Sequence, residues 1–400
     1  MDLDIFKKTG KVKITCLLLI VLGVVVRLFF FDYIYCDYKF FLNEWVEYIR
    51  NNGYAYSLKD SFYNYTPSYI YILILLAKID VYSLYSIKVV SLLFDFLAAY
   101  FISALVYLVS KNNTARWISF TLATLLPTVI LNGALWSQCD SIYSSFAIGS
   151  VFFLLKRKNI MSMIFLGIAF AFKAQASVLL PFFFIYMIRG GIKWYYFFII
   201  PTVYVFSLLP AWIMGRPLAD LILVYQMQSN FDNALVSFFP NIYIWIEYFI
   251  PADKIYGMLF TAIFVLSMGF ILMQKKYIFT LESWVKLIFL SCIICPFVLP
   301  GMRERYMYLG DLIAVAYICL YPRKAYLAVG ILFVSFYSYI RTLNYFGVFL
   351  GDNNVNPLKV LSFFNLIPWK AVSLLYLGII MLVVTDFVKS LRTNVVEKEF

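Results

Sequence analysis

Long apolar stretches, each closed by a short polar or charged segment, recur along the whole chain. Runs bounded by charge fall near 14–31, 88–109, 117–135, 140–155, 160–172, 176–188, 194–213, 254–274, 279–299, 305–321, 325–342 and 369–387. A helix needs about 20 apolar residues to cross the roughly 30 Å hydrocarbon layer of a bilayer. The pattern therefore predicts an all-α, polytopic protein of about twelve transmembrane helices, with residues 1–400 forming a single membrane domain. The runs at 160–172 and 176–188 are short, and one long helix broken around Lys173 competes with two separate spans.

Orientation follows from Lys and Arg in the short loops. With the N-terminus inside, the inner segments hold Lys7, Lys8, Lys11, Lys13, Lys111, Arg116, Lys156, Arg157, Lys158, Arg189, Lys193, Lys275, Lys276, Arg323, Lys324, Lys389, Arg392 and Lys398. That is 18 of the 33 basic residues, and the bias predicts cytoplasmic N- and C-termini. The outer loops are then 32–86, 214–253 and 343–368. Residues 67–79 are apolar but too short to span, and counting them would put Lys156-Arg157-Lys158 outside. They are assigned to the outer interface instead. Phe40, Phe41, Trp45, Tyr48 and Ile49 recur at helical spacing opposite Asn43, Glu44 and Glu47, which predicts a second interfacial helix in the same loop.

Composition agrees with a membrane protein: 64% of residues are hydrophobic, 20% aromatic and only 14% charged. The net charge of +12 would suggest nucleic acid in a soluble chain, but here the basic residues lie between spans and report topology, so no nucleic-acid partner is expected. There is no histidine, which removes the commonest general base and metal ligand and leaves Ser/His chemistry and zinc hydrolysis without candidates. No cofactor is expected, and the absence of histidine and of a tight Asp/Glu cluster leaves a divalent metal unsupported without ruling one out. Six cysteines are scattered, and the pair Cys292 and Cys295 sits within an apolar run as core packing.

On this topology the unusual polar residues collect on the outer face. Asp37 lies just beyond the first span among aromatic residues that lower the local dielectric, a setting suited to a general base, with Asp32 as its neighbouring rival. Trp136, Gln138 and Asp140 crowd a tight turn, where an aromatic face, an amide and a carboxylate can hold a sugar; Asp140 can equally cap a helix. Lys173, followed by Gln175, interrupts an apolar stretch, and a charge so placed faces a wet cavity or an anionic partner, phosphate being the natural one. Arg303 and Arg305 flank Glu304, ahead of Tyr306, and two guanidiniums around a carboxylate can grip a phosphate while Glu304 holds one in place. Asp95 and Asp311, inside spans, suit hydrogen bonds between helices.

The order of Asp37, Asn64-Tyr65-Thr66-Pro67, Trp136-Ser137-Gln138-Cys139-Asp140-Ser141, Phe172-Lys173-Ala174-Gln175 and Glu304-Arg305-Tyr306 resembles the GT-C superfamily of integral-membrane glycosyltransferases. It is most similar to bacterial relatives of the second mannosyltransferase of GPI-anchor assembly. The resemblance covers roughly residues 14–345. It implies an inverting hexosyltransferase, working in the bacterial plasma membrane with an outward-facing site. The donor would be a polyprenyl-phosphate sugar, of mannose or glucose, and the acceptor a glycan or lipid-linked species. It further implies that Asp37 is the catalytic base and that Lys173, Arg303 and Arg305 bind the donor phosphate. Trp136, Gln138, Asp140, Gln175, Glu304, Tyr306 and Tyr65 would bind substrate. One departure is plain: relatives often have His before Glu-Arg-Tyr, where this chain has Arg303. A lipid-linked oligosaccharide flippase and a catalytically silent GT-C scaffold are the competing readings.

Overall fold

In a computed structural model, residues 2–79, 81–230, 234–247, 253–274, 277–351 and 353–393 are described. Lys275, Lys276 and Lys398, used above for orientation, and parts of the outer loop 214–253 lie outside them. The chain is 79% helical and nearly all-α. The helices are α1 (Asp2–Phe29), α2 (Asn43–Asn51), α3 (Pro67–Ala77), α4 (Ser83–Ser110), α5 (Asn113–Leu125), α6 (Pro127–Ile130), α7 (Asp140–Leu155), α8 (Asn159–Phe172), α9 (Leu180–Ile188), α10 (Ile199–Ile213), α11 (Leu218–Ile222), α12 (Val224–Asn230), α13 (Tyr243–Ile246), α14 (Lys254–Leu272), α15 (Leu281–Val298), α16 (Tyr308–Leu320), α17 (Ala325–Phe346) and α18 (Trp369–Ser390). Among the described residues five two-residue strands, β1 (Tyr33–Ile34), β2 (Tyr277–Ile278), β3 (Phe349–Leu350), β4 (Asn353–Asn354) and β5 (Arg392–Thr393), depart from the all-α expectation.

Seven helices among the described residues are long and apolar enough to cross a membrane, or eight if the bent pair α5 and α6 is one span. The runs expected at 140–155, 160–172, 176–188 and 305–321 form shorter helices. Two breaks have clear causes. Pro127 lacks the N–H that would continue α5 and pushes Leu126 to an extended ψ of 127°, so the axis turns by 49°. At Lys173 the backbone is also extended (φ −150°, ψ 138°), and a 3-10 turn at Ala174–Leu179 precedes α9. The chain is thus interrupted at Lys173, as the charge suggested.

The centre of the bundle is α7, α15 and α16, with α4 and α8 against α7. Outward faces of α1 and α14 carry exposed Leu17, Leu18, Val21, Leu22, Ile263 and Leu266, an apolar surface that suits lipid. Buried polar contacts staple helices where hydrocarbon would leave them unsatisfied. Arg27 of α1 donates to Asp95 of α4 at 3.1 Å, Tyr308 of α16 donates to the same carboxylate at 2.6 Å, and Ser335 donates to Asp311 at 2.7 Å. Cys292 and Cys295 are buried free thiols, as expected. The first long loop does not lie open: Trp45, Val46 and Ile49 of α2 are buried, and α2 packs on α3, which packs on α10 and α4.

Two ends are distinct. Helix α7 begins with Asp140, behind the wall of the cavity described below, and ends before the run Lys156-Arg157-Lys158. At that far end Arg157, Arg189 and Tyr277 share a second cavity, and β2 pairs with β5 near the C-terminus. Lys286 contacts Glu282 at 2.7 Å and Asp386 at 3.0 Å, and Lys324 pairs with Asp386 as well.

Candidate active site

Asp37 owes its position to two anchors. β1 pairs with β3, with Tyr33 opposite Leu350, and fixes the backbone just upstream. A π-helical turn at Tyr38–Leu42 follows and leads into α2. Between them the Asp37 side chain reaches a cavity of about 340 Å³. Its Oδ2 accepts from Gln138 Nε2 at 2.6 Å and from Arg305 at 2.6 Å. Among the described residues its Oδ1 meets only the Cys36 thiol, at 3.8 Å. Asp32 is exposed and accepts from Tyr85 at 2.6 Å, away from the cavity.

Gln138 arrives through a second irregularity. After α6 a π-helical turn spans Leu131–Leu135, with Trp136 N donating to Leu131 O at 2.8 Å. Ser137 then adopts φ +57°, in the left-handed region that a non-glycine residue enters only under constraint. Ser91 donates to Gln138 O at 2.6 Å and holds the turn. The amide side chain is thereby aimed at Asp37.

Lys173 is buried and forms an ion pair with Asp140 at 2.6 Å, while Asn132 Nδ2 donates to the other carboxylate oxygen at 2.8 Å. Its ammonium also lies 5.3 Å from the centre of the Tyr65 ring. Burial works against the charge of Lys173 and Asp140 works for it, and the ammonium ends well above its ordinary range. Arg305 behaves alike: burial opposes it, and Asp37 and Glu304, the latter at 3.5 Å, hold its charge firmly. Burial raises the Glu304 carboxyl, and burial pushes the Tyr65 phenol up to about 12.

Of the residues expected from the sequence, Asp37, Tyr65, Gln138, Lys173, Gln175, Arg303, Arg305 and Tyr306 all line this one cavity. Trp136, Asp140 and Glu304 do not line it. Trp136 is fully buried, its ring 4.5 Å from that of Tyr35 and 5.2 Å from that of Tyr339, so it backs the wall and has no face for a sugar. Asp140 and Glu304 stand behind the wall and hold Lys173 and Arg305. The lining also includes Phe41, Trp45, Tyr225 and Lys254, which the sequence reading did not select. The helical spacing of Phe41 and Trp45 was visible, but not which surface they would face.

Among the described residues the lining carries four basic side chains, Lys173, Lys254, Arg303 and Arg305, and one carboxylate, Asp37, while Asp140 and Glu304 pair with Lys173 and Arg305 from behind the wall. Such a site favours an anionic group, offers one carboxylate to take a proton, and supplies rings and amides for a polyhydroxylated ring. Among the described residues, no cluster of three or more acidic or cysteine side chains is placed to hold a metal ion. No protein-family model matches the chain, and no curated protein matches its sequence.

Proposed function

We propose that the protein is an inverting glycosyltransferase that moves a hexose, mannose or glucose, from a polyprenyl-phosphate donor to a glycan or lipid-linked acceptor. The observation that carries the reading is Asp37, a partly exposed carboxylate gripped at 2.6 Å by Gln138 and by Arg305 in a cation-lined cavity at one end of an apolar helical bundle. The likeness to GT-C enzymes supports it, and so does the separation of this cavity from the basic loops. In this reading the bundle crosses a bacterial plasma membrane about twelve times, the shorter helices included. The basic end faces the cytoplasm and the cavity faces outward.

Gln138 and Arg305 occupy Oδ2, which leaves Oδ1 to receive a proton. The acceptor hydroxyl gives its proton to Asp37 as its oxygen attacks the anomeric carbon. The bond from that carbon to the phosphate oxygen breaks, and its electron pair leaves on the lipid phosphate, so the configuration inverts. Lys173, Arg303 and Arg305 stabilise the charge that grows on the phosphate. Arg303 does so as a permanent cation where relatives often carry His. Gln138, Gln175, Tyr65 and Tyr306 orient the sugar or acceptor, and Asp140 and Glu304 act through the cations they hold.

The test is transfer from radiolabelled polyprenyl-phosphate mannose and glucose to endogenous acceptors, in membranes with matched levels of wild-type protein or Asp37→Asn. Loss of a positioned base is expected to lower the rate by about 10²–10⁴-fold. Undiminished transfer by Asp37→Asn would move the base elsewhere. No transfer by the wild-type protein from either donor would favour a flippase or a silent scaffold.

A further inference from the structure

The second cavity, of about 390 Å³, lies at the basic end and is lined by Arg157, Arg189, Tyr186, Trp284 and the segment 277–279, together with Gly190 and Gly191. Arg189 closes α9 and donates to the carbonyls of Met273, Gln274 and Tyr277 at 3.3, 3.2 and 2.5 Å, with its guanidinium 5.3 Å from the Phe279 ring. Neutral carbonyls orient this cation without cancelling its charge. Arg157 occupies the tight turn between α7 and α8, at φ +61°, and its side chain is exposed. Among the described residues no carboxylate lines the cavity. The remaining wall is aromatic: Trp284 stacks on Phe279 at 4.3 Å and meets Tyr186 at 4.7 Å.

We propose that this cavity binds the phosphate of an anionic membrane glycerophospholipid, with Arg157 and Arg189 as its cationic jaws and the Tyr186, Phe279 and Trp284 rings against the glycerol and upper acyl region. Three features converge on that ligand. Among the described residues the cavity lining has two positive charges and no negative one, so a net anion is favoured over a zwitterion. It lies between the ends of apolar helices, where lipid headgroups meet protein and where basic pockets recognise anionic headgroups. Its aromatic wall is amphipathic in the way that suits the membrane interface. A soluble phosphate would use the arginines but gain nothing from the rings. The site is at the opposite end of α7 from the Asp37 cavity and is independent of the glycosyltransferase reading.

The experiment uses the full chain purified in neutral detergent. Native mass spectrometry would count retained lipid after equilibration with phosphatidylglycerol or with phosphatidylcholine of the same acyl chains. Arg157→Asn removes the charge and keeps a residue that tolerates the left-handed backbone. Lys111→Asn is the control, because Lys111 is also exposed, also in the left-handed region (φ +54°), and outside the cavity lining. Wild-type protein should retain phosphatidylglycerol over phosphatidylcholine, and Arg157→Asn should lower phosphatidylglycerol retention about fivefold at an unchanged melting temperature. Lys111→Asn should match wild type. Equal retention of the two lipids, wild-type retention by Arg157→Asn, or an equal loss in Lys111→Asn would overturn the proposal. Displacement of phosphatidylglycerol by millimolar inorganic phosphate would overturn the lipid assignment in favour of a free anion.

Discussion

The Lys173–Asp140 pair allows structural support to be separated from chemistry. Asp140 is almost fully enclosed, with 1% of its side chain exposed, and Lys173 keeps 6%. Replacing Asp140 by Asn preserves shape and the contact with Asn132, but strands a buried ammonium. Breaking a buried pair in this way costs about 3–5 kcal/mol. With an unfolding entropy of about 2.1 cal/mol/K per residue over 400 residues, that corresponds to a fall of about 4–6 °C in melting temperature. Lys173→Met should destabilise by a similar amount, since it strands the carboxylate. The double variant Asp140→Asn/Lys173→Met has no buried charge there and should recover most of the loss. The assay is thermal unfolding of the four purified proteins in one detergent, followed by sugar transfer at a temperature where all are folded. A double variant that is stable yet fails in transfer assigns Lys173 to the substrate phosphate. A double variant no more stable than Asp140→Asn, or an Asp140→Asn protein that melts with wild type, would refute the argument.

Three further outcomes follow from neighbouring contacts. Arg305 holds Asp37 at 2.6 Å and Glu304 at 3.5 Å, so Arg305→Lys, which keeps charge but loses the fork, should cut transfer by about 10–100-fold, and wild-type rates would remove Arg305 from the site. Lys88 is buried and donates to the carbonyls of Phe30, Phe31 and Tyr33 at 2.9, 2.8 and 2.6 Å, closing the end of α1; Lys88→Met should cost about 1–3 kcal/mol in an unfolding assay, and no loss would mean that the carbonyls are satisfied otherwise. Burial raises the Glu304 carboxyl above its ordinary 4.5, so the folded protein keeps that proton to a higher pH than the unfolded chain. Stability from this group is full below pH 4.5 and declines as pH rises through the higher folded value, and Glu304→Gln should flatten that part of the melting curve against pH; an unchanged slope would contradict it.

Much of the bundle was legible because apolar periodicity and length are local properties. The spans at 88–109, 254–274 and 369–387 are helices α4, α14 and α18 within a few residues, and the extended backbone at Lys173 falls where a lone charge interrupted an apolar run. Helix α3 is different. Its sequence is that of a short membrane segment, but Ile70 and Leu73 are fully buried because α2, α4 and α10 enclose them. A hydrophobic stretch says that water is excluded, and not whether lipid or protein excludes it. The small sheet of β1, β3 and β4 joins residues more than 300 positions apart, and no local pattern announces such a pairing.

The site shows a sharper limit of the same kind. A sequence displays which polar residues stand in apolar surroundings, and Asp37, Gln138, Lys173 and Arg305 were found by that signal. It does not display which polar residue satisfies which. Asp140 and Lys173 both read as ligand groups in the sequence, yet in the folded chain the carboxylate is committed to the ammonium at 2.6 Å, and Glu304 stands in the same relation to Arg305 at 3.5 Å. Trp136 offers a ring in the sequence, and in the fold that ring is consumed by Tyr35 and Tyr339. Burial requires each inner charge to be paired, so half of a conspicuous polar set serves the other half. By that logic the groups left to meet a ligand are those whose partners lie on one side only. Asp37, bound through Oδ2 with Oδ1 turned toward a thiol, is the clearest of them.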